Sequence, residues 1–426
     1  MTFLIAALLV AAPLFLFLSG PSGVFYLRKL ALPFLCILFV LCLIFFSGSA
    51  VKAAQNGLAL WAGVVVPSLF PFFIASEIIN STGFIRTSGI LLEPVMRPVF
   101  NVPGCASFAL LLGVTSGYPV GAKITSDLRS SGLLSKNEAE RLLAFTNNSG
   151  PLFIVGAVGT GMYGSSRIGI FLLACHILAC LTVGVLFRFY KRSGRSRIKE
   201  ARNKDLLKTF KTTLAAQRMQ AGGFGSILGN AIRNSVSTIL AIGGFIVLFA
   251  VIIQLLTETG LIGILAGALS PVLLPLGLDK SVLTGVLSGV FEITTGSGIV
   301  SRLAAVPFAV KLPAVSLIIG WAGLSVHFQV MSIISGTDIR ITPYIFGKAL
   351  QGIIAAIYTA AGIKLLRLEA LSAIPVLGAA EPGISGFLQL FLKALLMMLV
   401  SLVSLIILSK FANKTWLKVK IKRSSI

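Results

Sequence analysis

Residues 106–153 read ASFALLLGVTSGYPVGAKITSDLRSSGLLSKNEAERLLAFTNNSGPLF, and no regular helix can run through them. An apolar arm, SFALLLGV, passes into TSGYPVGAK and then into a polar arm, ITSDLRSSGLLSKNEAERLL. Gly117, Pro119 and Gly121 interrupt any helix that reaches them. Broken backbone at membrane depth is tolerated only where protein buries it or a cavity wets it. A re-entrant helical hairpin with its tip at residues 116–123 meets that condition. Backbone N–H groups at the start of the second arm favour an anion, and Lys123 adds a full charge there. Downstream, Asn147, Asn148 and Ser149 place three polar side chains in a row before Gly150 and Pro151 force the backbone apart.

The surrounding composition places these breaks in a membrane. The 426 residues are 56% hydrophobic and 12% charged, with a mean hydropathy of +0.98; a soluble domain carries about 25% charged residues. Apolar runs long enough to cross a bilayer cover 3–18, 30–46, 57–78, 143–163, 167–189, 236–256, 313–335, 344–366 and 386–408. The first run lacks a positive leading segment and a small-residue cleavage site, so it counts as a span. The fold class is therefore an all-α polytopic membrane protein of about nine transmembrane helices.

The net charge of +23 comes from 36 Lys and Arg against 13 Asp and Glu. The basic residues gather in connecting segments, the positive-inside pattern, and no basic surface is interleaved with aromatics as a nucleic-acid partner would require. Ten Lys and Arg between 191 and 218, the basic tail from Lys410 to Arg423, and Arg28 with Lys29 all belong on the cytosolic side. Nine spans with the N-terminus outside satisfy all three. The 190–228 stretch reads as a solvated linker with an amphipathic helix on the anionic leaflet. Cys36, Cys42, Cys105, Cys175 and Cys180 have no metal-ligand spacing and no disulfide framework, and no cofactor is implied.

Two halves match at a spacing of 177 residues. EIINSTGF (77–84) lies against QLLTETGL (254–261), and LEPVMRP (92–98) against LSPVLLP (269–275). LLGVTSGYPVGA (111–122) lies against VLSGVFEITTGSG (286–298), and FTNNSGPLF (145–153) against WAGLSVHFQ (321–329). In the nine-span topology residues 78 and 256 fall on opposite faces, so the repeats are inverted, each with a re-entrant hairpin. Inverted repeats put a substrate site near the midplane. The proline-rich pieces 84–101 and 261–278 are then interfacial helices. The organisation reads as 1–50 (two N-terminal helices), 51–190 (first repeat), 191–228 (linker), 229–367 (second repeat) and 368–426 (last helix and tail).

The candidate substrate site collects Ser116, Gly117, Tyr118 and Lys123 at the first tip, and Asn147, Asn148 and Ser149 at the break after it. The second half offers Glu292, Thr294, Thr295 and Ser297 at its tip, with Ser325, His327 and Gln329 spaced by two beyond it. An ionisable residue at membrane depth points to function. Helix packing also accounts for the small residues, and snorkelling or a structural ion pair for Lys123 and Glu292. His327 reads either as a proton carrier or as a hydrogen-bonded core histidine. His176, in mid-run beside Cys175, reads as structural. No His-Glu-x-x-His, Gly-x-Ser-x-Gly or phosphate-loop motif is present, so an enzyme is not expected.

The run SGYPVGAKITSDLRSSGLLSKNEAERLLAFTNNSGPLFIVGAVGTGM (116–162) resembles the signature of the YlbJ-type sporulation integral membrane proteins. These belong with the nucleoside-recognition, or gate, domains, which resemble concentrative nucleoside transporters. The resemblance covers about residues 50–370 and is most specific over 113–162. It implies a transporter of dipicolinate into the developing spore, in the outer forespore membrane. Dipicolinate is a flat aromatic dianion: Lys123, helix-start N–H groups and the asparagine amides suit its carboxylates, and Tyr118 its ring. Nothing in the residues separates it from another small organic anion. A membrane regulator or assembly factor using the same fold for binding alone is the rival. Coupling ion, direction and oligomeric state are not readable.

Overall fold

A computed structural model describes residues 21–81, 84–191, 223–274 and 279–365; every element among them is helical. The expected spans 3–18 and 386–408, the basic tail and residues 192–222 of the 191–228 linker lie outside the described residues, and the linker's last residues belong to a helix that begins at Phe224.

After α1 (Pro21–Phe45), the chain turns sharply into α2 (Ser47–Leu60), which continues through a wider, π-type turn at Trp61–Val65 into α3 (Val66–Ser81). Then follow α4 (Phe84–Phe100), α5 (Ala106–Ser116), α6 (Val120–Ser130), α7 (Lys136–Thr146), a π-type helix Leu152–Met162 and α8 (Ser166–Phe187). The order then recurs: α9 (Phe224–Glu258), α10 (Leu261–Leu273), α11 (Lys280–Phe291), α12 (Ile293–Ser301), α13 (Phe308–Trp321), α14 (Gly323–Ile334) and α15 (Thr342–Leu365). Phe224 stands 177 residues after Ser47, and Leu261 the same distance after Phe84, so these two pairs of helix starts share the spacing of the sequence matches, while the later pairs fall one to six residues short of it.

Among the described residues four stretches are long and apolar enough to cross a membrane: Ser166–Phe187, Phe224–Glu258, Phe308–Ile334 and Thr342–Leu365. A fifth is gained if Pro33–Phe45 and Ser47–Gly63, bent by 101°, count as one. The expected count of nine is not reached here. The run 143–163 is split by the break at 147–151, and the run 57–78 is divided among α2, the π-type turn and α3. Hydropathy averages over such breaks; backbone geometry does not.

The two long arms pack on each other head to tail. Ser49 Oγ donates to Glu258 at 2.9 Å, Trp61 Nε1 to the Ile239 carbonyl at 2.9 Å, and Asn234 Nδ2 to Glu77 at 3.4 Å. The start of one arm thus meets the end of its counterpart.

Each half folds a pair of short helices back on each other and sets their joint against a helix break. In the first, Gly117 at the tip (φ +93°) faces Gly150: a Cβ on Gly117 would lie 2.9 Å from the Gly150 nitrogen. In the second, Ala322 (φ +79°) and Gly323 (φ +76°) break α13 from α14, and a Cβ on Gly323 would lie 3.0 Å from the Phe291 carbonyl. Only glycine permits both the left-handed backbone and the approach.

α15 joins the halves. Its buried face carries Tyr344, Gly347, Lys348, Gln351, Gly352 and Thr359, while Phe346, Ile353 and Ile357 stand outward and exposed. Polar inside and apolar outside is the reverse of a soluble helix, and it suits lipid. Gly347 lets the helix touch Ala144 of α7, Ser316 and Thr359 hydroxyls meet at 2.6 Å, and Tyr358 reaches Thr182 of α8 at 2.9 Å.

Charged residues clasp the ends. Ser135 and Glu138 form a reciprocal cap on α7, and Arg97 grips both Glu93 and Glu138 at 2.6 Å. Glu140, fully buried, accepts from Tyr190 at 2.9 Å and Lys191 at 3.1 Å. Arg129 pairs Asp338 through two bonds of 2.8 and 3.0 Å, and that hydrogen bonding holds the Asp338 carboxyl below the ordinary carboxylate range.

The head-to-tail packing is testable by cross-linking. A Cβ on Gly57 would sit 3.1 Å from the Ala250 Cβ, close to disulfide reach. Gly57→Cys with Ala250→Cys should cross-link under mild oxidant on a denaturing gel. Absence of that band, with both single variants well expressed, would remove the antiparallel pair.

Candidate functional site

The break after α7 is a buried polar centre. Asn147, Asn148, Ser149 and Thr146 are each at most 2% exposed. Because α7 ends at Thr146, the carbonyls and amides of the next four residues need partners from elsewhere, and both halves supply them. The Asn147 carbonyl accepts from Lys348 Nζ at 2.8 Å; the Asn147 side-chain amide donates to Tyr344 Oη at 3.0 Å. Gln351 stands one turn from Lys348 on α15. Its oxygen accepts from Lys348 at 2.7 Å and its amide donates to Asn148 Oδ1 at 2.8 Å. His176 of α8 closes the ring: its Nε2 accepts from the Ser149 backbone N–H at 3.3 Å and lies 3.4 Å from the Gln351 amide. Asn148 also donates to the Phe145 carbonyl at 2.8 Å and contacts Cys180.

Lys348 is fully buried, with its ammonium 5.5 Å from the centre of the Tyr118 ring. Tyr118 in turn donates to the Ile319 carbonyl at 2.9 Å, so the first tip touches the second half. No ion pair reaches Lys348 among the described residues. A buried lysine without an opposite charge is costly to keep protonated; two oxygens and an aromatic face offset part of that cost, and an anion beside it would offset more. Around it, Asn147 Oδ1, Ser149 Oγ, Ser116 Oγ and His176 Nδ1 are buried and unpartnered. Buried polar atoms in that state each cost about 1–3 kcal/mol. The Lys348 amine with the Ser116 and Ser149 hydroxyls offers donors to an anion, while Asn147 Oδ1 can only accept.

The expected residues divide. Ser116, Gly117, Tyr118, Asn147, Asn148 and Ser149 come together, as the tip-against-break packing requires. His327 packs between Trp321 (4.4 Å) and Tyr344 (5.2 Å), so Tyr344 links the two breaks, and both His327 ring nitrogens are unpartnered. Gln329 donates to Ser325 at 3.4 Å beside it.

Lys123 requires a correction. Its ammonium lies 3.0 Å from Glu77 and 2.8 Å from Asp127, so two carboxylates already hold it and it brings no free charge to the tip. Glu292 is corrected too: its carboxylate caps α12, accepting from the Thr294 and Thr295 N–H groups at 2.8 and 2.7 Å. That helix start is filled by the chain itself. Ser297 is buried with its hydroxyl unpartnered, yet among the described residues no hydrogen bond joins Thr294, Thr295 or Ser297 to the 147–149 break. His176 belongs to the centre rather than to packing alone. Lys348, Gln351 and Tyr344 were absent from the sequence reading, although a lysine within the apolar run 344–366 is the signal that marks function in a membrane segment.

The chain is 43% identical over 317 residues to the sporulation integral membrane protein YlbJ of Bacillus subtilis (strain 168), an alignment covering 72% of this chain and 76% of that protein. The chain belongs to the YlbJ family. It is accordingly an integral membrane protein, as its apolar helices require. The Gate family model, described as nucleoside recognition, matches residues 62–186, which include the first hairpin and its break. A shorter likeness, 26% over 145 residues, links it to the uncharacterized protein YjiH of Escherichia coli (strain K12), covering 34% of this chain and 60% of that one. No solved structure matches.

In this YlbJ-family chain the Asn148–Gln351 bond ties the halves together. Asn148→Ala and Gln351→Ala should each lower the melting temperature in detergent, and the double variant should lose less than the sum, because the two residues share one contact. Additive losses would mean the bond is not formed.

Proposed function

We propose that this chain carries a small organic anion across the membrane, with dipicolinate entering the developing spore through the outer forespore membrane as the first candidate. The observation that carries the reading is Lys348: a fully buried ammonium with no carboxylate partner among the described residues, set at a broken helix. An anionic substrate supplies the missing charge. Membership of the YlbJ family supports the sporulation setting. The head-to-tail packing of the two long arms supports an inverted repeat, and the two glycine-lined tips support re-entrant hairpins meeting near the midplane.

The substrate-binding set is then Ser116, Gly117, Tyr118, Asn147, Asn148 and Ser149 around Lys348. From the second break His327 reaches it through Tyr344, with Ser325 and Gln329 on the other side of the regular helix α14, and Thr294, Thr295 and Ser297 form the second tip. No side chain caps the start of α6; its Val120 and Lys123 N–H groups are taken by the Gly117 and Pro119 carbonyls, which leaves those of Gly121 and Ala122 as backbone donors. One carboxylate sits at that helix start and the ammonium, and the aromatic ring lies against Tyr118. The match to the nucleoside-recognition family favours a second reading, a nucleoside substrate, which is neutral and has no use for the lysine's charge.

Proteoliposomes offered labelled dipicolinate and labelled uridine separate these readings. Dipicolinate should enter and uridine should not. Lys348→Ala should cut dipicolinate uptake by about ten- to a hundredfold, the worth of a charge-assisted hydrogen bond. Uridine uptake indifferent to Lys348 would establish the nucleoside reading, and flux of neither would favour a regulator that binds without transporting.

A further inference from the structure

Carriers built on interrupted helices hold their coupling cation on the carbonyl oxygens that an unwound stretch sets free. Here that place is taken. α7 gives way at Asn147, whose freed carbonyl accepts from Lys348 Nζ at 2.8 Å. Gln351 Oε1 provides a second oxygen at 2.7 Å, and the Tyr118 ring lies 5.5 Å from the ammonium. Asn147 Oδ1 is buried and unpartnered beside them.

Oxygen lone pairs and an electron-rich ring are what a bare monovalent cation also needs. The lysine comes from the second half and the carbonyl from the first, so this ammonium bridges the two halves, as a coupling ion does. Its counterpart position on α8, six residues from the helix start, is the apolar Leu172, so α8 carries no matching lysine there.

We propose that Lys348 is a tethered stand-in for a coupling cation, and that this chain neither needs nor binds a monovalent metal ion at the 147–151 break. The inference rests on the transport reading above. It adds that the substrate's negative charge is balanced by the protein itself. Removing the ammonium leaves its oxygens facing one another with nothing between them, which is a site for sodium or a small alkylammonium ion.

The test compares the purified wild-type chain and Lys348→Ala in choline, sodium, potassium and methylammonium chlorides at one ionic strength. Wild-type melting temperature and dipicolinate uptake should not change among the four salts. Lys348→Ala should melt lower in choline and recover about 2–4 °C in sodium or methylammonium, as expected for a ligand that binds only the folded state. The recovery should vanish in Lys348→Ala combined with Gln351→Leu, which removes the second oxygen. Lys348→Met, which keeps the stem's bulk, repeats the comparison if the alanine variant does not fold. Sodium-dependent uptake or melting in the wild type would overturn the proposal. So would a Lys348 variant that melts alike in all four salts. Melting needs no transport, so a wild type that moves no dipicolinate defeats the transport reading while the oxygen cage is still judged on its own.

Discussion

A charge in the middle of an apolar helix bundle must be surrounded by dipoles, and regular helices have none to spare. Their carbonyls are bonded four residues on, so only a broken helix offers free oxygens at depth. The interruption at 147–151 and the lysine on α15 therefore depend on each other. Without the break Lys348 would lose the Asn147 carbonyl; without Lys348 that carbonyl would be left buried and unpaired. Gln351 ties the lysine to Asn148, and His176 ties the last amide of the break to α8. Elements from both halves converge on four residues, 147–150, that have no regular structure of their own.

Close approach of backbone makes the convergence geometrically possible. Gly117 and Gly150 let the first tip rest on the first break, and Gly323 does the same against Phe291 in the second half. Gly347 brings α15 onto α7 near Ala144, one turn before the break. A Cβ at these points would meet facing backbone at 2.6–3.1 Å, so the elements would have to move apart and stretch the hydrogen bonds that now join them.

Much of this was legible in the sequence. The Gly-Tyr-Pro and Asn-Asn-Ser-Gly-Pro interruptions appear where the residues place them, and helices stand at Phe84–Phe100 and Leu261–Leu273 within the proline-rich pieces. Pairing was harder to read. Lys123 looked free because its partners, Glu77 and Asp127, are respectively distant in sequence and one helical turn away on a polar face. Glu292 looked like an active charge, yet a carboxylate just before a helix is also what caps one. Lys348 and Gln351 were passed over since a single lysine scarcely lowers the mean hydropathy of a long apolar run. Only the buried side of α15 shows that they share one face with Tyr344, at intervals of four and three.

The longest helix fixes a scale. At 35 residues, α9 extends for roughly 52 Å, against a hydrocarbon layer about 30 Å thick. Its apolar stretch begins after Arg233 and Asn234 and ends before Glu258, so the early turns must stand out of the lipid or the rod must lean. Asn234 touches Glu77 and Ser49 touches Glu258, so polar contacts stand at both ends of that apolar stretch. The helix is thus a measuring rod with a polar stop at either end. A membrane thinner or thicker than the gap between those stops would tilt α9, and with it the antiparallel α2 and α3 packed along it.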